Sequence, residues 1–172
     1  MQVQGLHLPP APPRVRPFVP SDLHLTLAFL GAVQESEARN AWLLITRFPS
    51  FRRVEGSFER VKPLGHPTKP SALSAIVARG ADALSEMILE ARAPLLESAG
   101  ARPDERPPLP HMTLARVQRR ANAAERREAL RWAEGLDVSR ASFAVASVAL
   151  YTWSADRQER LFELVERQEL AR

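Results

Sequence analysis

The sequence contains no cysteine, and this absence excludes disulfide bonds, thiolate metal sites and a cysteine nucleophile. A chain without cysteine is compatible with a reducing cytoplasm, where we expect the protein to act. No stretch approaches the ~20 consecutive apolar residues that a membrane-spanning helix needs. The first residues carry neither a basic region nor a sustained apolar run, so we expect no signal peptide and no membrane association.

Lysine is almost as scarce as cysteine. Lys62 and Lys69 are the only two lysines, so arginine supplies nearly all of the 24 basic residues, which outnumber the 20 acidic ones. A basic chain attracts anions such as phosphates, and the planar guanidinium group matches phosphate oxygens. A GC-rich genome also favours arginine over lysine, so the charge alone leaves both explanations open.

Hydrophobic periodicity divides the 172 residues into helices and strands. Apolar residues at helical spacing predict three helices, over 35–48, 82–100 and 122–136. Period-two alternation predicts strands over 23–30, 58–64, 72–78, 111–117, 142–152 and 160–168. This order favours a single domain with a mixed α+β fold and antiparallel sheets over alternating βαβ units.

Local signals define the ends of these elements. Asp82 is the expected N-cap of the second helix, and Gly100 is expected to close it. Asn122 with Glu125 predicts a capping box at the start of the third helix. The string "GHPTKP" predicts a turn between the strands 58–64 and 72–78.

Two short strings repeat each other: "HLTLA" begins at His24 and "HMTLA" begins at His111. In a strand, residues i and i+2 point to the same face. Each copy therefore presents one imidazole and one hydroxyl side by side, followed by a small alanine that leaves room for a ligand. The residues of this face are His24, Thr26 and Ala28 in the first copy, and His111, Thr113 and Ala115 in the second. The opposite face of the first copy holds apolar side chains that are expected to fill a core, namely Leu23, Leu25, Leu27 and Phe29.

Two imidazoles across a cleft suit acid–base chemistry. A free histidine titrates near pH ~6.5, so at neutral pH one ring serves as the base and the other as the acid. Threonine hydroxyls donate hydrogen bonds to a charged oxygen, and a phosphodiester offers such an oxygen beside an attackable centre. Metal binding is a weaker interpretation because neither string contains a carboxylate and Asp22 would have to bend back.

The strings "HLTLAFLG" and "PHMTLAR" resemble the two signature motifs of the two-histidine (2H) phosphoesterase superfamily. Within it they most resemble the LigT-like RNA 2′,3′-cyclic phosphodiesterases, formerly described as 2′-5′ RNA ligases. The resemblance extends from Phe18 to the end and includes "FAVASVALYTWS". It implies a bilobal α+β fold, with two pseudo-symmetric lobes of antiparallel sheet, helices outside and an active-site cleft between them. Residues 1–172 would form one such domain, with residues 1–17 divergent or truncated relative to the family.

The resemblance also implies an activity, which is hydrolysis of RNA 2′,3′-cyclic phosphate ends to 2′-phosphates without a metal or other cofactor. His24 would donate a proton to the departing 3′ oxygen, and His111 would accept a proton from water. Thr26 and Thr113 would hold phosphate oxygens, and Arg116 would neutralise phosphate charge. Strict alternation places Arg116 on the face opposite His111, so its role requires a bend or bulge; otherwise Arg116 is a surface arginine.

Two alternative functions remain open at this point. Reversible 2′-5′ ligation of RNA halves would use the same two histidines. A nucleotide- or RNA-binding module without turnover would not require two titratable groups. The expected partner is RNA with a 2′,3′-cyclic phosphate end or a cyclic nucleotide, and we expect a monomer with no obligatory protein partner.

Overall fold

The computed structural model describes residues 1–48, 51–66 and 69–171. Within these ranges the chain forms eight strands: β1 (Gln2–Gln4), β2 (Val15–Pro17), β3 (Val54–His66), β4 (Lys69–Val77), β5 (His111–Val117), β6 (Ser142–Val145), β7 (Ser147–Trp153) and β8 (Phe162–Glu169). The same ranges contain three α-helices: α1 (Glu35–Leu43), α2 (Ala81–Ser98) and α3 (Ala123–Glu134). None of these helices is long and apolar enough to cross a membrane.

Six strands form one antiparallel sheet in the order β1-β6-β3-β4-β5-β2, and β7 pairs with β8 in a second antiparallel sheet. The predicted α+β class with antiparallel sheets is confirmed. The predicted strands 58–64 and 72–78 are parts of the hairpin β3–β4. Residues 67 and 68 of the predicted turn lie outside the described residues.

The helices cover one face of the large sheet. Leu84, Met87, Ala91 and Leu95 of α2 pack in the main core with Met112 and Leu114 of β5. A smaller cluster joins Ala129 and Ala133 of α3 to Leu73, Ala115 and Val117. Because strand side chains alternate between faces, the residues between these core positions point to the other face of the sheet.

The helix ends are set by local hydrogen bonds. The predicted capping box of α3 is confirmed, since the Asn122 side chain accepts from the Glu125 N–H at 3.0 Å and the Asn122 N–H donates to Glu125 Oε2 at 2.7 Å. The prediction of Asp82 as the N-cap of α2 is wrong: the N-cap is Gly80, which has φ +89°. Glycine adopts this left-handed conformation at little cost, so the helix begins earlier and Asp82 lies in its first turn. Gly100 follows the end of α2 with φ +58°, as expected for a closing glycine.

The first predicted helix is shorter than expected. It ends at Leu43 and continues only as a 3-10 turn over Ile45–Arg47, which buries Ile45 in the core.

The predicted strand over 23–30 is not formed. A 3-10 turn over Pro20–Asp22 precedes this segment. Within the segment, Leu25 alone forms an antiparallel bridge, to Met112. The leucines Leu23, Leu25 and Leu27 contact the core as predicted, but Ala28, which was expected on the face of His24, also packs against the core. Phe29 does not, because pairing stops before it and the alternation is lost; its side chain is 71% exposed.

The predicted strand over 142–152 is divided at Ala146 into β6 and β7, which belong to different sheets. β6 pairs with β1 and β3, whereas β7 pairs with β8. This division brings the aromatic residues of β7 to the region beside His24.

Candidate active site

The two repeated strings lie side by side. Leu25 and Met112, each the residue after a histidine, form an antiparallel backbone bridge. In an antiparallel bridge the chains run in opposite directions, so His24 and Thr113 lie on one side of the bridge, and the threonine of the first string and the histidine of the second lie on the other. Leu25 and Met112 both pack in the main core. The paired histidines and threonines therefore share the face of the sheet that the helices leave open.

Both histidine rings are held by the same type of hydrogen bond. His24 Nδ1 lies 2.7 Å from the Asp22 carbonyl oxygen, and His111 Nδ1 lies 2.7 Å from the Leu109 carbonyl oxygen. A carbonyl only accepts hydrogen bonds, so Nδ1 carries the proton in each neutral ring. Each ring consequently offers Nε2 to a ligand as a proton acceptor, or as a donor once protonated.

Aromatic side chains surround His24. Tyr151 stacks on its ring with centroids 5.9 Å apart and an interplanar angle of 30°, and Phe162 packs edge-on at 5.0 Å and 86°. Burial is the main cause that lowers the pKa of His24 below its ordinary value, and the positive charges of His111 and Arg116 lower it further. The hydrogen bond to the carbonyl acts in the opposite direction.

Asp22 connects His24 to the small sheet. Its side chain is only 2% exposed, and its carboxylate accepts hydrogen bonds from the backbone N–H of Leu161 at 2.8 Å and of Phe162 at 3.2 Å. The Asp22 carbonyl in turn accepts from His24. Sequence reasoning considered Asp22 only as a metal ligand and missed this role, because the partners of its carboxylate lie far along the chain.

A bulge in β5 determines where Arg116 points. Thr113 pairs with Ser74, but Arg116 pairs with Ala72, so β5 has one residue more than β4 over this interval and Leu114 is the extra residue. Ala72 and Ser74 are two residues apart on β4 and share a face. Arg116 therefore lies on the same face as Thr113, through the kind of bulge that its predicted role requires.

The same bulge overturns the expectation for Ala115. Alternation placed Ala115 on the face of the histidines and threonines, but it is fully buried in the cluster under α3. Arg116 itself is exposed as a residue, while protein atoms around its guanidinium group partly bury that group and lower the pKa of Arg116. No carboxylate forms an ion pair with Arg116 in the part of the chain that the structure describes.

A buried serine supports the second threonine. Ser74 is fully buried, and its Oγ lies 3.2 Å from Thr113 Oγ1. Thr26, the corresponding threonine of the first string, is exposed. Sequence reasoning did not identify Ser74, although a hydroxyl inside the apolar string "ALSAIVA" was the available signal.

The described residues contain no group of three or more histidine, aspartate or glutamate side chains placed to hold a metal ion. The candidate site combines two imidazoles, two threonine hydroxyls and one guanidinium group.

An antiparallel α+β fold with a repeated His-x-Thr string on one open face defines the class of two-histidine phosphoesterases. Residues 6–157 match the sequence model of the 2′-5′ RNA ligase superfamily, and the chain belongs to this family. The resemblance seen in the two strings is thereby confirmed.

Solved structures share the fold. Escherichia coli LigT complexed with 3′-AMP is 22% identical over 96% of this chain and 86% of that chain, with a TM-score of 0.69. The same protein complexed with phosphate is 22% identical over 96% and 84%, with a TM-score of 0.60. The protein TT0787 of Thermus thermophilus is 21% identical over 92% and 83%, with a TM-score of 0.61. A sequence comparison with curated proteins found no match.

Proposed function

We propose that the protein hydrolyses RNA 2′,3′-cyclic phosphate ends to 2′-phosphates by general acid–base catalysis, without a metal ion or other cofactor. The observation that carries this proposal is the antiparallel bridge between Leu25 and Met112. The residues that flank this bridge carry two imidazoles and two threonine hydroxyls, and this supports a shared site for one phosphate. Membership of the 2′-5′ RNA ligase superfamily supports the same reaction class.

The residues would divide the reaction as follows. His111 accepts a proton from water at Nε2 while the water oxygen bonds to phosphorus. The bond from phosphorus to the 3′ oxygen breaks, and protonated His24 donates its Nε2 proton to that oxygen. Thr26 and Thr113 donate hydrogen bonds to the non-bridging oxygens, and Arg116 balances their negative charge.

The substrate class is consistent with the relatives. Escherichia coli LigT has been crystallised with 3′-AMP and with phosphate, which are fragments of an RNA end. We accordingly expect the ligand of this chain to be an RNA with a cyclic phosphate end or a cyclic nucleotide. We expect the protein to act as a monomer in the cytoplasm.

The test is hydrolysis of an RNA oligonucleotide with a 2′,3′-cyclic phosphate end in the presence of EDTA, with the product identified as the 2′-phosphate. His24→Gln and His111→Gln should each lower kcat by about 10²–10⁴-fold. His7→Gln is the matched control because His7 is an exposed histidine in the N-terminal segment. Full activity in either site variant, or activity that EDTA removes and added metal restores, contradicts the proposal.

A second candidate function is reversible 2′-5′ ligation, which the name of the matching family favours. It uses the same histidines, with a ribose hydroxyl in place of water. Incubating RNA halves, one with a cyclic phosphate end and one with a 5′-hydroxyl end, distinguishes the two reactions. Accumulation of a 2′-5′-linked product favours ligation, whereas only 2′-phosphate ends favour hydrolysis. Binding without either product indicates a module that lacks turnover.

A further inference from the structure

Two arginines face each other across the edge of the large sheet. Arg16 of β2 pairs directly with Arg116 of β5 in the antiparallel ladder. Residues directly opposite each other project to the same face, with Cβ atoms about 4.5–5.5 Å apart. Arg16 therefore lies on the face that carries Arg116 and Thr113, and β2 borders β5 on the same side as Leu25 of the first string.

The two guanidinium groups have no acidic partner nearby. Neither Arg16 nor Arg116 forms an ion pair with any of the residues that the structure describes. Like charges directly opposite each other in a sheet destabilise it. Such a pair becomes favourable when anions bind to it, because arginine forms strong bidentate bonds to phosphate.

One hydrogen bond holds the guanidinium group of Arg16 in place. Its Nη2 donates a hydrogen bond to the Gln158 carbonyl oxygen at 3.2 Å, in the loop between β7 and β8. The end of that loop is fixed by the bond from the Leu161 N–H to the Asp22 carboxylate. An arginine has five N–H donors, so those that remain are available to a ligand.

In the proposed mechanism the histidines, the threonines and Arg116 bind the single terminal phosphate. Arg16 is a second cation beyond Arg116 and would bind a second anion. In an RNA strand the next anion is the neighbouring internucleotide phosphate. We propose that Arg16 binds this internucleotide phosphate, so that the substrate is an RNA strand rather than a cyclic mononucleotide. This inference rests on the proposed function.

The kinetic test compares two substrates. One is a cyclic mononucleotide, which lacks an internucleotide phosphate, and the other is a dinucleotide with a 2′,3′-cyclic phosphate end. Arg16→Gln should lower kcat/KM for the dinucleotide about tenfold more than for the mononucleotide, through KM, because it removes a charge-assisted hydrogen bond. Arg16→Lys keeps the charge and should lose less.

The matched control is Arg127→Gln, which removes the same charge from an exposed position of α3. This helix packs on the core side of the sheet, so the substitution should not alter the ratio between the two substrates. An equal fall for both substrates with Arg16→Gln, or no fall for either, overturns the proposal.

A binding measurement separates this proposal from the catalytic one. The affinity for a fluorescent RNA oligonucleotide with a 2′-phosphate end is measured against salt concentration. Loss of one phosphate contact should reduce the slope of log K against log salt by about 0.7 in Arg16→Gln. A reduced slope in a protein that does not hydrolyse cyclic ends retains the Arg16 site and rejects the catalytic function. An unchanged slope in a protein that does hydrolyse cyclic ends rejects the Arg16 site and retains the catalytic function.

Discussion

Leu25 and Met112 join the two copies of the repeated string through one antiparallel bridge, although they lie in distant parts of the chain. The bridge relates the copies by a local two-fold axis, so that each histidine lies on the same side of the bridge as the threonine of the other copy. Both residues of the bridge are anchored in the core. The relative positions of the catalytic candidates thus depend on backbone pairing and apolar packing, not on contacts among the polar groups themselves.

The pH dependence of kcat/KM should contain the titration of His24. As the acid, His24 must be protonated, and this form is lost as pH rises through its pKa. Burial, His111 and Arg116 lower that pKa below the usual value, so the profile should have one limb with a midpoint below pH ~6.5. Arg116→Gln removes one of these causes and should move the midpoint of that limb to higher pH.

Arg127→Gln serves as the control for this profile, since it removes a charge of the same sign at a distance from His24. If Arg116→Gln leaves both limbs in place, the titration of His24 does not govern the reaction.

The stability of the fold should also depend on His24. Its folded pKa is lowered, so between that value and the unfolded value of about 6.5 the unfolded chain binds more protons. Above this window the titration of His24 contributes nothing to the free energy of unfolding. The free energy of unfolding falls as pH decreases through the window. His24→Gln should lose this part of the dependence, whereas His7→Gln should keep it. Parallel curves of Tm against pH for wild type and His24→Gln would contradict the lowered pKa.

Asp22 should position His24 and also stabilise the junction of the two sheets. Asp22→Ala leaves the N–H groups of Leu161 and Phe162 without their acceptor. We expect the free energy of unfolding to fall by about 2–4 kcal/mol, and kcat to fall more than KM changes. Asp22→Asn keeps one acceptor oxygen, so its free energy of unfolding and its kcat should lie between those of the wild type and those of Asp22→Ala. Glu128→Ala, at an exposed carboxylate on α3, is the control for both measurements.

Equal loss of stability in Asp22→Ala and Glu128→Ala would show that the buried carboxylate does not hold the junction. Loss of stability with unchanged kcat in the remaining folded protein would limit Asp22 to a structural role.

Local sequence predicted the direction of single side chains better than it predicted their surroundings. Local alternation places His24 and Thr26 on one face, because side-chain direction depends on the backbone next to it. It failed at Ala115, because a bulge is defined by the register with β4 and that register is not a local property. The edge-on contact of Phe162 with His24 depends on the pairing of β7 with β8, which no short stretch of sequence contains.

The aromatic cover described above lies over only one of two otherwise equivalent rings. Tyr151 and Phe162 flank His24, whereas no aromatic contact with His111 is present among the described residues. A cyclic phosphate could enter this nearly two-fold symmetric frame in either of two directions. For the proposed reaction we therefore expect the asymmetric apolar wall, and not the histidines and threonines, to select the direction in which the ester opens.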